Sequence, residues 1–229
     1  ERTIYKKKMI QAKKDYESSP SDKLRKDISK FNNIQMARKI QLNSAYGAIG
    51  NQYFRYYNLA NAEAITLSGQ VAIRWIENKV NNYLNKVLQT DGEDYVIASD
   101  TDSIYLNLGP LVQAVFPSGE KDDQSTLSFL KKVCDVELDR YIESAYEEMA
   151  TYVNAYAQKM VMKRENIANK GIWTAKKRYI LNAWDIEGVR FAEPKLKIMG
   201  IEAIKTSTPA PCRKMLKDAF AILMSGTED

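Results

Sequence analysis

A chain of 229 residues, 45% of them apolar, can bury one large core or two small ones, and no apolar run approaches the length that crosses a bilayer. The absence of histidine excludes Ser-His-Asp and Cys-His catalysis and histidine-ligated zinc; the two cysteines, Cys134 and Cys212, lack CxxC spacing and fit a reducing, intracellular compartment. The net charge of +5 hides two basic blocks: residues 1–55 carry 13 Lys+Arg against 5 Asp+Glu, and residues 159–217 carry 14 against 5. Such blocks suit a polyanion-binding surface, although a charge run is more often a solvated face.

In chain order, residues 1–18 read as a basic helix and Ser18-Ser19-Pro20-Ser21-Asp22 as a turn with N-cap residues. A second helix is expected over 22–46, ending in Gly47-Ala48-Ile49-Gly50-Asn51 and pairing with the first as an antiparallel hairpin. The longest helix is expected over 58–89, with Ile73, Ile76, Val80, Tyr83, Leu84 and Val87 as its buried stripe, and Asp91-Gly92 breaks it. The period then changes. Two β-prone runs, 95–98 and 104–106, flank Ser99-Asp100-Thr101-Asp102-Ser103 and predict a strand–turn–strand hairpin. Residues 109–125 read as a loop. A long acidic helix follows over 126–158, with Leu127, Leu130, Cys134, Leu138, Tyr141, Ala145, Met149 and Tyr152 inward. Residues 159–204 read as basic strands, and Ser207-Thr208-Pro209 caps a final helix. Paired strands with helices beside them imply an α+β fold rather than alternating βαβ units.

The sharpest constellation is Asp100-Thr101-Asp102-Ser103. Two carboxylates at i and i+2 on a tight hairpin present adjacent oxygen donors to a hard divalent cation; the plain alternative is turn chemistry, since Asp and Ser bond their own backbone. Lys39, Asn43 and Tyr46, at i, i+4 and i+7, share one helix face and can touch a phosphate, a base and a sugar in turn. A solvated face ending in a glycine cap at Gly47 competes with that reading about equally. Arg2 and Lys6 are also at i, i+4, on the helix expected to pack antiparallel to this one, and both can reach one triphosphate; a surface charge pair is the plainer account. Lys176-Lys177-Arg178-Tyr179 is read as a strand, and with Lys170, Trp173, Lys195 and Lys197 it interleaves cations with aromatics, as a sugar–phosphate backbone requires. A basic strand that discourages edge pairing is the alternative.

Together these motifs resemble the family B DNA polymerases, most closely those of T-even-like bacteriophages. Lys39 to Gly47 is similar to the KxxxNSxYG motif of the fingers, Asp100 to Ser103 to the DTDS palm hairpin, and Lys176 to Tyr179 to the KKRY primer-contacting motif. Glu193 to Gly200 matches the phage branch. The resemblance spans essentially the whole chain and implies an enzyme that transfers dNMP from a dNTP to a primer 3′-OH with two Mg²⁺ ions in the complete polymerase. It implies fingers over 1–51, palm over 52–204 and the start of the thumb over 205–229. Arg2, Lys6 and Lys39 match residues that hold the nucleotide's phosphates, and Asn43 and Tyr46 match residues lining the nascent base pair. Asp102 matches the principal metal-binding aspartate and Asp100 its weaker companion. Glu165 falls where the family has an acid near the metals, whereas Lys163 replaces a second acid. Lys176, Lys177, Arg178, Tyr179 and Lys205 match contacts to the primer–template duplex. The cytoplasm of an infected bacterial host is the implied location, with no membrane partner.

Asp185-Ile186-Glu187 has the DxE form that opens many 3′–5′ exonuclease sites, but its place in the palm makes these residues a strand end or turn. The family's first palm aspartate, on a strand preceding the fingers, has no counterpart here, nor do the exonuclease domain and most of the thumb. The chain is therefore expected to be a truncated fragment, the reading that the absent initial methionine favours, or one subunit of a split polymerase, and to be inactive alone. The remaining polymerase segments, in the same or a separate chain, primer–template DNA and dNTPs are its implied partners. A non-catalytic DNA-binding module and a different Mg²⁺-dependent phosphotransferase or nuclease are the rival classes; intact DTDS and KxxxNSxYG-like motifs weigh against the first, and the lack of a Walker lysine loop weakens the second.

Overall fold

A computed structural model describes residues 1–117 and 123–226. The chain divides into two compact units, Glu1–Arg164 and Glu165–Asp229, and both are built from helices and antiparallel strands, the α+β composition that the sequence implies.

In the first unit, α1 (Arg2–Ser18) and α2 (Asp22–Ile49) form the expected antiparallel hairpin. Ser21 starts α2 as its N-cap, its hydroxyl accepting the Leu24 N–H at 3.3 Å. Met9 and Ala12 of α1 and Gln35 of α2 are the buried residues of this hairpin, and the Tyr5 and Phe31 rings meet across it at 6.3 Å. The helix runs through Gly47 and is capped at Gly50, so Gly47 is a helical residue and not the glycine cap.

The next helix, α3 (Leu59–Leu88), begins where Asn58 Oδ1 accepts the Asn61 N–H at 2.9 Å, and it ends on Gln89 in the left-handed region at φ +56°. Ile76, Val80 and Leu84 of the expected stripe are buried, but Val87 is 47% exposed and Ala72 takes part in the core instead. The strands β1 (Val96–Asp100) and β2 (Ser103–Leu106) pair antiparallel, with Asp100 opposite Ser103.

The expected loop contains a short helix, α4 (Gly109–Val115), whose Pro110 occupies the first turn, where a missing N–H costs nothing. Its 118–122 portion lies outside the described residues. The acidic helix is not continuous: α5 (Asp123–Lys132) passes through a π-helical segment, Val133–Leu138, into α6 (Asp139–Tyr152). Leu138, Ala145 and Met149 are buried as expected, Ile142 and Tyr146 join them at ordinary helical spacing, and Tyr152, the last residue of α6, is exposed. Beyond Tyr152, residues 153–158 are non-helical.

The second unit is a three-stranded antiparallel sheet in sequence order, β3 (Asn166–Ala175), β4 (Arg178–Ile186) and β5 (Val189–Met199). Residues 159–165 are therefore not strand. Central β4 is buried along most of its length, as a strand paired on both edges must be. A short 3₁₀ turn, Glu202–Ile204, leads to α7 (Ala210–Ser225), whose Phe220 and Met224 pack with Ile180 and Ile201. Asp185 and Ile186 end β4 and Glu187 opens the turn to β5: Asp185 is buried and its Oδ1 accepts the Gly188 N–H at 2.8 Å.

Truncating Ile76, which is 0% exposed, is expected to cost about 2–5 kcal/mol. Val87→Ala is expected to stay within about 0.5 kcal/mol. Urea denaturation followed by circular dichroism checks the contrast; equal losses would mean that Val87 also lines the core.

Candidate functional site

The acidic hairpin is a tight corner. The Asp102 N–H donates to the Asp100 carbonyl at 2.6 Å, which closes a γ-turn around Thr101, held in the left-handed region at φ +57°. Ser103 Oγ donates to the same carbonyl at 3.2 Å, and Thr101 Oγ1 donates to Asp100 Oδ1 at 2.9 Å. Asp102 is exposed at the tip while Asp100 is half-buried. Behind the tip stands Tyr146 of α6. Burial pushes its phenol above the ordinary value of 10.0, and the Asp102 carboxylate raises it further.

Divalent cations such as Mg²⁺ take carboxylate and water oxygens, and Asp100 and Asp102 are donors of that kind. Among the described residues no group of three or more acidic or cysteine side chains converges, so the pair would supply only part of such an ion's ligands. Glu165 lies in the second unit, exposed just before β3, with its carbonyl accepting the Glu187 N–H at 2.5 Å. Lys163 pairs with Asp139 of α6, and Arg164 Nε donates to Asp135 Oδ1 of the π segment at 2.9 Å, its side chain only 10% exposed. Lys163 is thus matched to a carboxylate of its own unit.

Lys39, Asn43 and Tyr46 lie exposed on α2 as the i, i+4, i+7 spacing requires. The Glu1 carboxylate pairs with Arg38 at 2.9 Å, which ties the start of α1 to the turn of α2 that carries Lys39. Arg2 and Lys6, both half-buried, therefore begin the helix at the same end of the hairpin.

In the second unit, Lys176 and Lys177 are not in a strand. They form the tip of the β3–β4 hairpin, Lys177 with φ +63°, since a two-residue hairpin loop needs positive φ to match strand twist. Arg178 and Tyr179 open β4; the Tyr179 ring is buried, 6.3 Å from Trp173. Gly200, at φ +67°, lies against this tip: a Cβ there would sit 2.2 Å from the Lys177 carbonyl oxygen. Arg178 pairs with Glu202, and Lys205 Nζ donates to the other Glu202 oxygen at 3.0 Å. The Lys205 hydrogen bond first, then the bond from Glu202's own backbone, and the Arg178 and Lys205 charges hold the Glu202 carboxyl below its ordinary value.

The sequence reading missed two of these partners. Tyr146 lies beside the expected Ala145 on the buried face of α6, and Glu202 was legible as the acid three residues before Lys205. No local pattern announces the Asp135–Arg164 pair, whose partners are 29 residues apart.

The family model described as DNA polymerase family B matches residues 1–228. The chain belongs to the family B DNA polymerases. It is 46% identical over 202 residues to the DNA-directed DNA polymerase of Escherichia phage RB69, covering 85% of this chain and 22% of that protein. It is 43% identical over 206 residues to the DNA-directed DNA polymerase of Enterobacteria phage T4, covering 86% of this chain and 23% of that protein. A shorter stretch of 89 residues is 33% identical to the DNA polymerase delta catalytic subunit of Candida albicans, 39% of this chain and 8% of that protein. The chain thus spans less than a quarter of the two phage relatives' length. Divalent-metal use is general in the family, and the donor chemistry of the hairpin fits it.

Because Tyr146 is raised, it stays neutral in the fold at pH values where an unfolded phenol ionises; its contribution to stability is whole below pH 10.0 and is lost as pH climbs above it. Asp102→Asn is expected to move the Tyr146 titration down while leaving it above 10.0, read by NMR of ring-labelled tyrosine. An unmoved titration would show that Asp102 does not face that phenol.

Proposed function

We propose that this chain forms part of a DNA-directed DNA polymerase that adds dNMP units from dNTPs to a primer 3′-OH, working in the cytoplasm of an infected bacterial host. The observation that carries this reading is the exposed Asp102 at a corner whose backbone is closed by the Asp100 carbonyl and the Ser103 hydroxyl. In the proposed division, 1–51 are fingers, 52–204 palm and 205–229 the start of the thumb. The partners are primer–template DNA, dNTPs and the remaining polymerase segments: exonuclease, first palm strand and thumb.

Asp102 is the principal carboxylate for Mg²⁺, Asp100 its companion, and Glu165 the third acid. Two Mg²⁺ ions, when bound, lower the pKa of the attacking 3′-OH and neutralise charge on the transferring phosphoryl group. The chain's own side chains do the rest. Lys39, Arg2 and Lys6 bind the triphosphate, whose negative charge offsets the desolvation of clustered cations. Asn43 and Tyr46, further along the α2 face, line the nascent base pair. Lys176, Lys177, Arg178, Tyr179 and Lys205 hold the duplex through its backbone, which positions without reading sequence.

In a complete polymerase containing this segment, Asp102→Asn is expected to slow primer extension about a hundredfold or more while leaving primer–template affinity within a few-fold. Asp100→Asn is expected to be milder. Wild-type extension by Asp102→Asn in a rapid-quench assay would end the metal assignment.

Lys39→Ala is expected to raise the apparent KM for all four dNTPs alike, or to lower kcat alike, because a phosphate contact is blind to the base. Lys177→Ala is expected instead to weaken duplex binding and to flatten its log–log salt dependence by about one unit. A base-selective defect in Lys39→Ala would contradict its phosphate role.

A further inference from the structure

Glu202 sits between two cations assigned above to the duplex. Its carboxylate engages Arg178, from the start of β4, with one oxygen and Lys205 with the other. All three side chains are partly open to solvent, at 40–46% exposure, so the arrangement lies on the surface. It is nevertheless not a chance meeting of mobile groups. The 3₁₀ turn that carries Glu202 is flanked and pinned by Ile201, 6% exposed, and Ala203, 0% exposed. The Lys205 N–H returns to the Glu202 carbonyl at 3.2 Å. Gly200, two residues earlier, abuts the Lys177 carbonyl so closely that no side chain fits. These contacts hold the backbone that carries the Glu202 carboxylate close to Arg178, the residue after the Lys176–Lys177 tip.

A carboxylate gripped by an arginine and a lysine offers two oxygens to donors that serve a phosphate equally well. We propose that Glu202 is an internal stand-in for a DNA backbone phosphate: it occupies the Arg178–Lys205 seat in the free protein and competes with the duplex for it. This rests on the duplex-binding reading of Arg178 and Lys205. Such a competitor lowers the net gain from each phosphate contact, because a pair is broken as another is made, and so keeps a backbone grip releasable. It acts on strength rather than sequence, since phosphates are alike along the strand.

The test is fluorescence anisotropy of a labelled primer–template duplex with the 229-residue chain over a series of KCl concentrations. Glu202→Gln is expected to tighten binding at low salt by about three- to tenfold, the scale of releasing two exposed pairs, and to steepen the salt slope by about one unit. Glu202→Asp, which keeps the charge, is expected to stay near wild type. In a Lys205→Ala background the gain from Glu202→Gln is expected to shrink, which guards against a general effect of removing one negative charge. Unchanged or weaker binding by Glu202→Gln, with circular dichroism as in wild type, would overturn the proposal. Lys205→Ala and Arg178→Ala that both leave affinity unmoved would instead sink the duplex-binding reading beneath it.

Discussion

Asn81 of α3 accepts hydrogen bonds at Oδ1 from both the Tyr95 and the Val96 N–H, at 2.9 and 3.1 Å, and its Nδ2 donates to Asp94 at 2.7 Å. One turn later, Asn85 accepts the Glu93 N–H at 3.0 Å and donates to the Glu93 carbonyl at 2.7 Å. Two amide side chains thus do for the start of β1 what a neighbouring strand would do, each bond contributing about 1 kcal/mol net and costing more if left unmade beside the core. The position of the acidic corner follows from this. α3 is itself fixed by Ile76, Val80 and Leu84 against α6, by the Trp75 Nε1–H donated to the Ala145 carbonyl at 2.9 Å, and by the Tyr83–Tyr141 stack at 4.4 Å. Tyr146, from the same face of α6, then meets the charge at the hairpin tip.

Among the described residues, several cations of both basic blocks are met by the chain's own acids. Arg38 is met by Glu1, Lys79 by Glu148, Lys163 by Asp139, Arg164 by Asp135, and Arg178 with Lys205 by Glu202. A net charge of +5 therefore understates the number of basic groups, and these six are less readily available to a polyanion than an unpaired lysine would be. Binding a nucleic acid to such a surface is an exchange of partners, which makes its strength depend on which carboxylates let go as well as on the number of lysines. Exposed pairs of this kind contribute little to stability; their consequence is for the ease of that exchange.

Much of this was legible in the sequence where local physics decides. The 3.6-residue period placed Ile76, Val80 and Leu84 inside, Asn58 and Ser21 announced helix starts, and the switch to β-prone runs around Asp100 and Asp102 marked the hairpin. The spacing of Lys39, Asn43 and Tyr46 placed them on one exposed face because α2 is unbroken. What failed were finer features. The buried stripe of α6 is wider than expected, taking in Ile142 and Tyr146 beside Leu138, Ala145 and Met149, and Tyr152 at the helix end is exposed. The Lys176–Lys177 pair became a hairpin tip because strands need a corner somewhere, and a KKRY run carries no turn signal of the Asn-Gly type. The loop around Pro110 became a helix because proline is harmless in a first turn.

The central claim is that Asp102, held at a γ-turn on a hairpin hung from α3, is the carboxylate through which this segment serves nucleotidyl transfer. Anomalous diffraction from a complete polymerase containing this segment, crystallised with primer–template, a non-reactive dNTP and Mn²⁺, tests it most directly. The account predicts a metal peak at a coordination distance of about 2.1 Å from an Asp102 carboxylate oxygen. Metal peaks beside the nucleotide's phosphates with Asp102 outside coordination distance would contradict it.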